Sequence, residues 1–470
     1  MSSRLSRRDF LKISGATILG AGLAGVGLNR LKGSTQPGTA LANPTLPDNL
    51  NVIWIVLDTV RASSLSLYGY HRATTPNLER LARLGVTFER AIAPASWTLQ
   101  SHASMFTGRY PFDLSADWDI PLDGAYPTLA ETFRQAGYET AGFVANYYFL
   151  SPSYGINRGF DYYESYRLTP GRALRSTSIG ERAYQKWRLF DKIEKNDSFG
   201  NKNAERMRTN FINWLDRRQE SKPYFAFMNF IDAHAPYLPP EQYVSRFTDN
   251  KPIGYLPIKP ALQKDPVIIQ GLQDAYDGEI AYIDDQMGLL YDELAARGQM
   301  KNTLMVISSD HGEQFGEHGL LDHGNSCYLP LLHVPLLMIQ PGSIPVSVVK
   351  TPVGLRNIAA TIIDLTKLDS GWTIPGQSLV RYWVNPTVES EIIRSESTLE
   401  VTRNNSNIFY MRSTSLIKDD LHYIHNQDGS EEFFDLGGDP GEVENVLNAN
   451  NRKSELESFR LALKERSCFC

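Results

Sequence analysis

Five short runs of consecutive apolar residues punctuate the chain, at 51–57, 140–144, 224–231, 303–308 and 336–339. Each is apolar at successive positions instead of alternate ones, the pattern of strands covered on both faces. Between them Met207, Phe211, Trp214 and Leu215 recur at helical spacing. Leu272, Tyr276, Ile280, Ile283, Met287, Leu290 and Leu294 form a longer stripe of the same period. Both stripes read as core. Alternation of strand and helix predicts a doubly wound α/β domain over about residues 49–375, a large mixed sheet flanked by helices. Past residue 375 the pattern shortens. Residues 408–411 and 421–424 read as strands and 454–466 as a helix, predicting a small α+β subdomain over 376–470. Residues 165–205 are polar without a period and predict a surface insertion.

In such sheets ligands gather at the carboxyl ends of the strands. Asp58 directly follows the first run, Asn146 lies after the second, Asp232 and His234 after the third, and Asp310-His311 after the fourth. Aspartate and histidine suit a divalent cation such as Mn, Zn, Mg or Ca. An aspartate at a strand end also serves as an ordinary helix cap, so Asp58 alone decides little. Asp310-His311-Gly312 is more specific, because two adjacent ligating side chains precede a glycine that leaves room for an ion.

Composition narrows the partners. With 47 basic against 53 acidic residues the net charge is -6, which leaves no basic excess for nucleic acid. Cys327, Cys468 and Cys470 are too few for a disulfide framework or a four-thiolate zinc site. At the N-terminus Ser6-Arg7-Arg8-Asp9-Phe10-Leu11-Lys12 precedes an uncharged run from Ile13 to Leu28, and Ala40-Leu41-Ala42 follows. Residues 1–42 resemble a twin-arginine signal peptide (Tat) cleaved after Ala42. The run is short of the ~20 apolar residues that span a bilayer. The expected mature chain is therefore periplasmic or extracellular, exported already folded, with no stable membrane span.

The segment Pro94-Ala95-Ser96-Trp97-Thr98-Leu99-Gln100-Ser101-His102 runs on to Thr107-Gly108-Arg109-Tyr110-Pro111. With Thr75-Pro76-Asn77-Leu78, Asp232-Ala233-His234-Ala235-Pro236-Tyr237, Ser309-Asp310-His311-Gly312-Glu313 and Phe434-Asp435-Leu436-Gly437-Gly438-Asp439-Pro440-Gly441-Glu442, it resembles the sulfatase family of the alkaline-phosphatase superfamily. The resemblance covers nearly all of the chain after residue 42, and implies an alkaline-phosphatase-like fold and a metal-dependent ester hydrolase.

Departures from the family pattern carry as much information. Alignment on Thr107-Gly108-Arg109-Tyr110-Pro111 puts Thr98 where sulfatases have a Cys or Ser that becomes formylglycine, with Gln100 for Pro and His102 for Arg. Threonine cannot give that aldehyde, because its β-carbon carries a methyl group. The chain looks like the branch with an unmodified threonine nucleophile, which includes phosphodiesterases and transferases of phosphate-bearing head groups. A hydroxyl bound to a divalent cation is acidified, and a short helix expected from Ser101 to Phe106 would favour an anion near Thr98.

The resemblance thus implies Asp58, Thr98, Asp310 and His311 as ligands of one divalent ion, with Thr98 also the nucleophile. It implies His234 and His323 as groups handling the proton or the anion, and His102 and Asn146 as substrate contacts. Asp58 is followed by Thr59, and Ser63 stands where an Asp is expected. Loss of carboxylates favours Mn or Zn over Mg or Ca. The leading expectation is cleavage or transfer of a phosphoester or phosphodiester on a small-molecule, lipid or glycan ester. A sulfuric ester hydrolase is the first alternative, and a catalytically silent anion-binding protein is the alternative of another class.

Overall fold

The computed structural model describes residues 46–165, 203–219, 221–249, 265–385, 387–403 and 407–465. Eight strands form one sheet in the order Ser347–Val349, Gly85–Phe88, Leu336–Ile339, Thr303–Ser308, Asn51–Leu57, Tyr224–Phe230, Glu139–Val144 and Tyr162–Glu164. Neighbours are parallel except where Leu336–Ile339 runs against both of its partners.

Asn51–Leu57 lies in the middle, with Trp54 opposite Phe227 on one side and Val306 on the other. Successive side chains point to opposite faces of a strand. Val52, Trp54 and Val56 therefore enter one core with the helices Thr98–Thr107 and Ile358–Thr366. Ile53, Ile55 and Leu57 enter a second core with Ala204–Leu215 and Pro266–Ala296. Each face has its own helical layer, which is why the strand reads as an unbroken apolar run. The stripe from Leu272 to Leu294 lies wholly within the second core, as its period predicts.

Three of the five predicted runs coincide with strands, and the other two differ by one residue, starting at Glu139 and ending at Phe230. Gly85–Phe88, Tyr162–Glu164 and Ser347–Val349 lie at or near the sheet edges and are too short to show a period.

The C-terminal region is more regular than its sequence suggests. Ile393–Arg403, Asn407–Lys418, Leu421–Asn426 and Glu431–Asp435 form an antiparallel sheet in chain order, followed by the helix Lys453–Glu465. Here too the pleat divides neighbours. Ile417, Ile424 and Phe434 join the main core, while Leu416, Tyr423 and Phe433 pack with Leu456 and Phe459 of the helix. The small α+β unit is thus fused to the large one through shared apolar contacts. The expected signal, residues 1–42, and 166–202 of the expected insertion lie outside the described residues. Among the described residues no helix is long and apolar enough to cross a membrane.

Candidate active site

Asp58 and Asp310 end two adjacent parallel strands, so their side chains emerge at the same edge of the sheet. Asp58 Oδ2 accepts from Asn146 Nδ2 at 2.9 Å and from Asn229 Nδ2 at 3.2 Å. Asp310 Oδ1 accepts the backbone N–H groups of Thr59 at 3.2 Å and His311 at 3.0 Å. The other oxygen of each, Asp58 Oδ1 and Asp310 Oδ2, is buried without a hydrogen-bond partner. His311 Nδ1–H donates to Gly312 O at 3.0 Å, which leaves Nε2 as the ring's acceptor atom. Burial first, and then the neighbouring His323, lower the His311 pKa to about 3, so the ring is neutral near pH 7.

Ligand atoms of Asp58, Asp310 and His311 all lie within 4.8 Å of one another. Two buried carboxylate oxygens without partners would cost several kcal/mol each if left uncompensated. The donor set, two hard oxygens and one imidazole nitrogen, fits a divalent cation.

Thr59, where a second carboxylate is expected in the family, turns away from this corner. Its Oγ1 lies against Ala233 O at 2.9 Å and Asp58 O at 2.7 Å. The residue has φ 61°, a strained value for a β-branched side chain. Tyr276 Oη donates to Thr59 O at 2.7 Å and accepts from Arg61 N at 3.0 Å, holding the turn in place. Ser63 is exposed and takes no part.

Thr98 opens the helix Thr98–Thr107, which starts three residues earlier than expected. The hydroxyl is therefore in the first turn, among backbone N–H groups without helical partners and at the positive end of the helix dipole. The helix stops at Gly108, whose φ of 68° and close approach to Pro375 O admit only glycine. Thr98 Oγ1 lies 3.2 Å from His311 Nε2. One turn on, His102 Nδ1–H donates to Thr98 O at 2.8 Å, and its Nε2 is buried without a partner. Ser101 Oγ donates to Asp310 O at 2.7 Å, tying the helix to the strand end.

The rings of His323 and His311 are 4.7 Å apart, those of His323 and His234 4.9 Å, and those of His323 and Trp97 5.4 Å. His323 Nδ1–H faces Asp322 Oδ1 at 2.9 Å and Glu313 Oε1 at 3.2 Å. Burial pulls the His323 pKa down, but the charges of Glu313 and Asp322 outweigh it and hold the imidazole well above its ordinary value. It is a cation near pH 7, with Nε2–H not used by either carboxylate. Glu313, Asp322 and His323 form a second acidic cluster with ligand-like spacing, yet its atoms already serve one another. His234 Nδ1–H donates to Ala235 O at 2.7 Å, leaving Nε2 available.

The sequence-based candidates thus cluster at one end of the sheet. Asn146 spends both ends of its amide within the protein, on Asp58 and on the N–H of Phe149. His318 stands outside the cluster, stacked on Tyr328 at 3.7 Å. Sequence reasoning missed Asn229, which lies inside an apolar run. It also assigned no role to Glu313, the last residue of the Ser309-Asp310-His311-Gly312-Glu313 motif, or to Asp322, which directly precedes His323.

The chain matches the Sulfatase family over residues 50–368. It belongs to the sulfatase family. An arylsulfatase of Clostridium perfringens is 27% identical, over 88% of this chain and 93% of that protein. The phosphonate monoester hydrolase of Agrobacterium radiobacter has a TM-score of 0.68 at 21% identity, over 89% of this chain and 95% of the other. A second phosphonate monoester hydrolase, from Silicibacter pomeroyi, has a TM-score of 0.66 at 23% identity, over 89% and 95%. The fold of this sulfatase-family hydrolase is the alkaline-phosphatase-like one expected from its motifs.

Proposed function

We propose that the protein is a metal-dependent hydrolase or transferase that cleaves a phosphoester or phosphodiester through Thr98. The observation that carries this reading is an unmodifiable threonine at a helix N-terminus, beside His311 and two buried carboxylate oxygens without partners. Asp58, Asp310 and His311, with Thr98, would hold one divalent ion, Mn or Zn in preference to Mg or Ca. When bound, that ion supplies a Lewis acid, acidifying the Thr98 hydroxyl and withdrawing charge from a phosphoryl oxygen.

The chain's own groups do the rest. Asn146 and Asn229 orient Asp58, and His102 anchors the first turn at Thr98 O. Thr98 Oγ, its proton lost to solvent, attacks phosphorus in line with the leaving oxygen. The bond from Oγ to phosphorus forms as the bond to the leaving group breaks, and His323 Nε2–H protonates the departing oxygen. Water then attacks the phosphothreonine with His323, now neutral, taking its proton, and the bond from phosphorus to Oγ breaks to release phosphate and return Thr98. An alcohol in place of water gives transfer. The His234 ring lies 4.9 Å from that of His323, and when doubly protonated it would donate from Nε2–H to the transferred anion. The substrate is a small-molecule, lipid or glycan ester.

A sulfate ester is the second reading, favoured by the sulfatase names of the curated relatives. Chemistry weighs against it. A sulfated threonine lacks the geminal hydroxyl through which a formylglycine hydrate expels sulfate, whereas a phosphothreonine opens by in-line attack of water. Measuring kcat/KM for the phosphodiester and the sulfate ester of one phenol separates the readings. Faster sulfate turnover, with residue 98 still threonine by mass spectrometry, overturns the proposal.

We further propose that residues 1–42 direct twin-arginine export. The motif at Arg7-Arg8 and the Ala40-Leu41-Ala42 site support this. Terminal sequencing of secreted protein should begin at Asn43, and an intact Met1 would refute cleavage.

A further inference from the structure

We propose that Ser397 and Glu442 of the C-terminal sheet and its following loop are positioning residues for His323, and that this appended unit holds both sides of the reaction centre in register. The inference rests on the role given to His323 above.

The first strand of the C-terminal sheet reaches into the catalytic domain. Glu396 N–H donates to Pro94 O at 2.9 Å, and Ser96 N–H donates to Glu396 O at 3.3 Å. Ser395 Oγ donates to Ala93 O at 2.6 Å, and Gln100 Nε2 donates to Thr398 Oγ1 at 3.1 Å. The segment that leads into Thr98 is thereby paired like a short extra strand. Two residues from Ser395 on the same strand, buried Ser397 donates from Oγ to Gly324 O at 3.2 Å. Gly324 immediately follows His323. Its φ is 74°, and a Cβ there would lie 2.6 Å from the Trp97 ring. The backbone on the C-terminal side of His323 is therefore wedged under the residue that precedes Thr98 and held by Ser397. On its N-terminal side, His323 N–H donates to Asp322 Oδ1 at 2.9 Å.

Farther along the same segment, Glu442 takes the second grip. Its Oε2 accepts Leu329 N–H at 2.7 Å, and its Oε1 accepts His422 Nδ1–H at 2.5 Å. Ser415 Oγ then donates to His422 Nε2 at 2.7 Å. Ser415, His422 and Glu442 are all buried, and this serine, histidine and glutamate relay spends its hydrogen bonds within the protein. It serves to fix Glu442, which holds φ 55°. Tyr328 Oη donates to Glu432 Oε2 at 2.7 Å beside it. The segment carrying His323 is thus tied to the same small sheet that pairs with the nucleophile loop. A side chain that must deliver a proton at the moment of bond breaking depends steeply on placement.

The test is a leaving-group series on the full mature protein, using aryl and alkyl esters of whichever class it turns over. General acid catalysis matters most for poor leaving groups. Ser397→Ala should lower kcat/KM, which reports the step that expels the leaving group, on the order of tenfold for alkyl leaving groups and less than about twofold for 4-nitrophenyl. Ser397→Thr, which keeps the hydroxyl, should restore kcat/KM. If Ser397→Ala does not fold, Glu442→Gln is read in the same way. An equal loss across the series, in whichever variant folds, overturns the proposal. His323→Ala keeps the two claims apart. A flat loss in that variant refutes the acid role of His323 itself. A steep loss there, with a flat one in Ser397→Ala, refutes only the positioning by the C-terminal sheet.

Discussion

Two acid and histidine clusters lie side by side at this end of the sheet, and they are built to opposite ends. In the first, Asp58 and Asp310 each keep one buried oxygen without a partner, and His311 is held neutral with its pKa near 3. In the second, Glu313 and Asp322 converge on His323, which their charge keeps protonated. Asp322, in turn, is held well below the usual carboxylate range: burial opposes this, but the adjoining His323 outweighs it. Similar residue types give one site whose ligand atoms suit an added cation and one that carries its own. The difference lies in the hydrogen bond that each histidine makes through Nδ1, to a carbonyl in His311 and to carboxylates in His323.

The strongest way to break the comparison is at Thr98, which borders the first cluster. Thr98→Ala should lower kcat on the order of 10³-fold or more without changing the melting temperature. Wild-type turnover in that variant, with contaminants excluded, would move the reaction elsewhere.

Next comes the metal. Chelation should abolish activity, and Mn or Zn should restore it. Elemental analysis should find one divalent ion per chain. In chelated protein Asp310→Asn should melt higher than the wild type, because it removes a buried charge that has lost its partner. A lower melting temperature there would mean that the carboxylate is compensated within the protein.

The second cluster should respond with the opposite sign. Glu313→Gln should destabilise the protein by about 2 kcal/mol in urea unfolding, since it removes a charged acceptor from a buried imidazolium. No loss would mean that Asp322 alone balances His323.

Smallest is an outside reference, Asp284. It accepts Asn77 N–H at 2.8 Å and Leu78 N–H at 2.8 Å, and burial raises its pKa to about 7. The folded state then binds more protons than the unfolded one between about pH 4 and 7. This group's contribution is full below about pH 4 and is lost as pH rises through 7. Asp284→Asn should flatten that slope in urea titrations at several pH values, and an unchanged slope would contradict the shift.

What the sequence reveals follows how locally each feature is encoded. Asn51–Leu57 is legible because both faces are buried, so burial writes an unbroken apolar run. The direction of Leu336–Ile339 is not legible, because a parallel and an antiparallel neighbour bury the same side chains. In the C-terminal sheet Ile393–Arg403 mixes Arg394, Ser395, Glu396 and Ser397 among its apolar positions. Its strand character comes from pairing across eleven residues with Asn407–Lys418. Thr98, Asp310 and His311 stand in motifs whose chemistry is local. Asn229 faces Asp58 only because its strand pairs with Asn51–Leu57. The pairing of Glu313 with His323 needs the intervening turn to fold back, through Gln314–Phe315 and Leu321–Asp322.

The link between the nucleophile loop and the last sheet also sets a timetable. Gln100 and Thr398 are 298 residues apart, and Ser395 and Ala93 are 302 apart. During synthesis the loop that bears Thr98 emerges early and waits for nearly the whole chain before its pairing strand appears. A chain that ends before residue 393 carries every candidate ligand in its sequence but not the strand that pairs with the segment leading into Thr98.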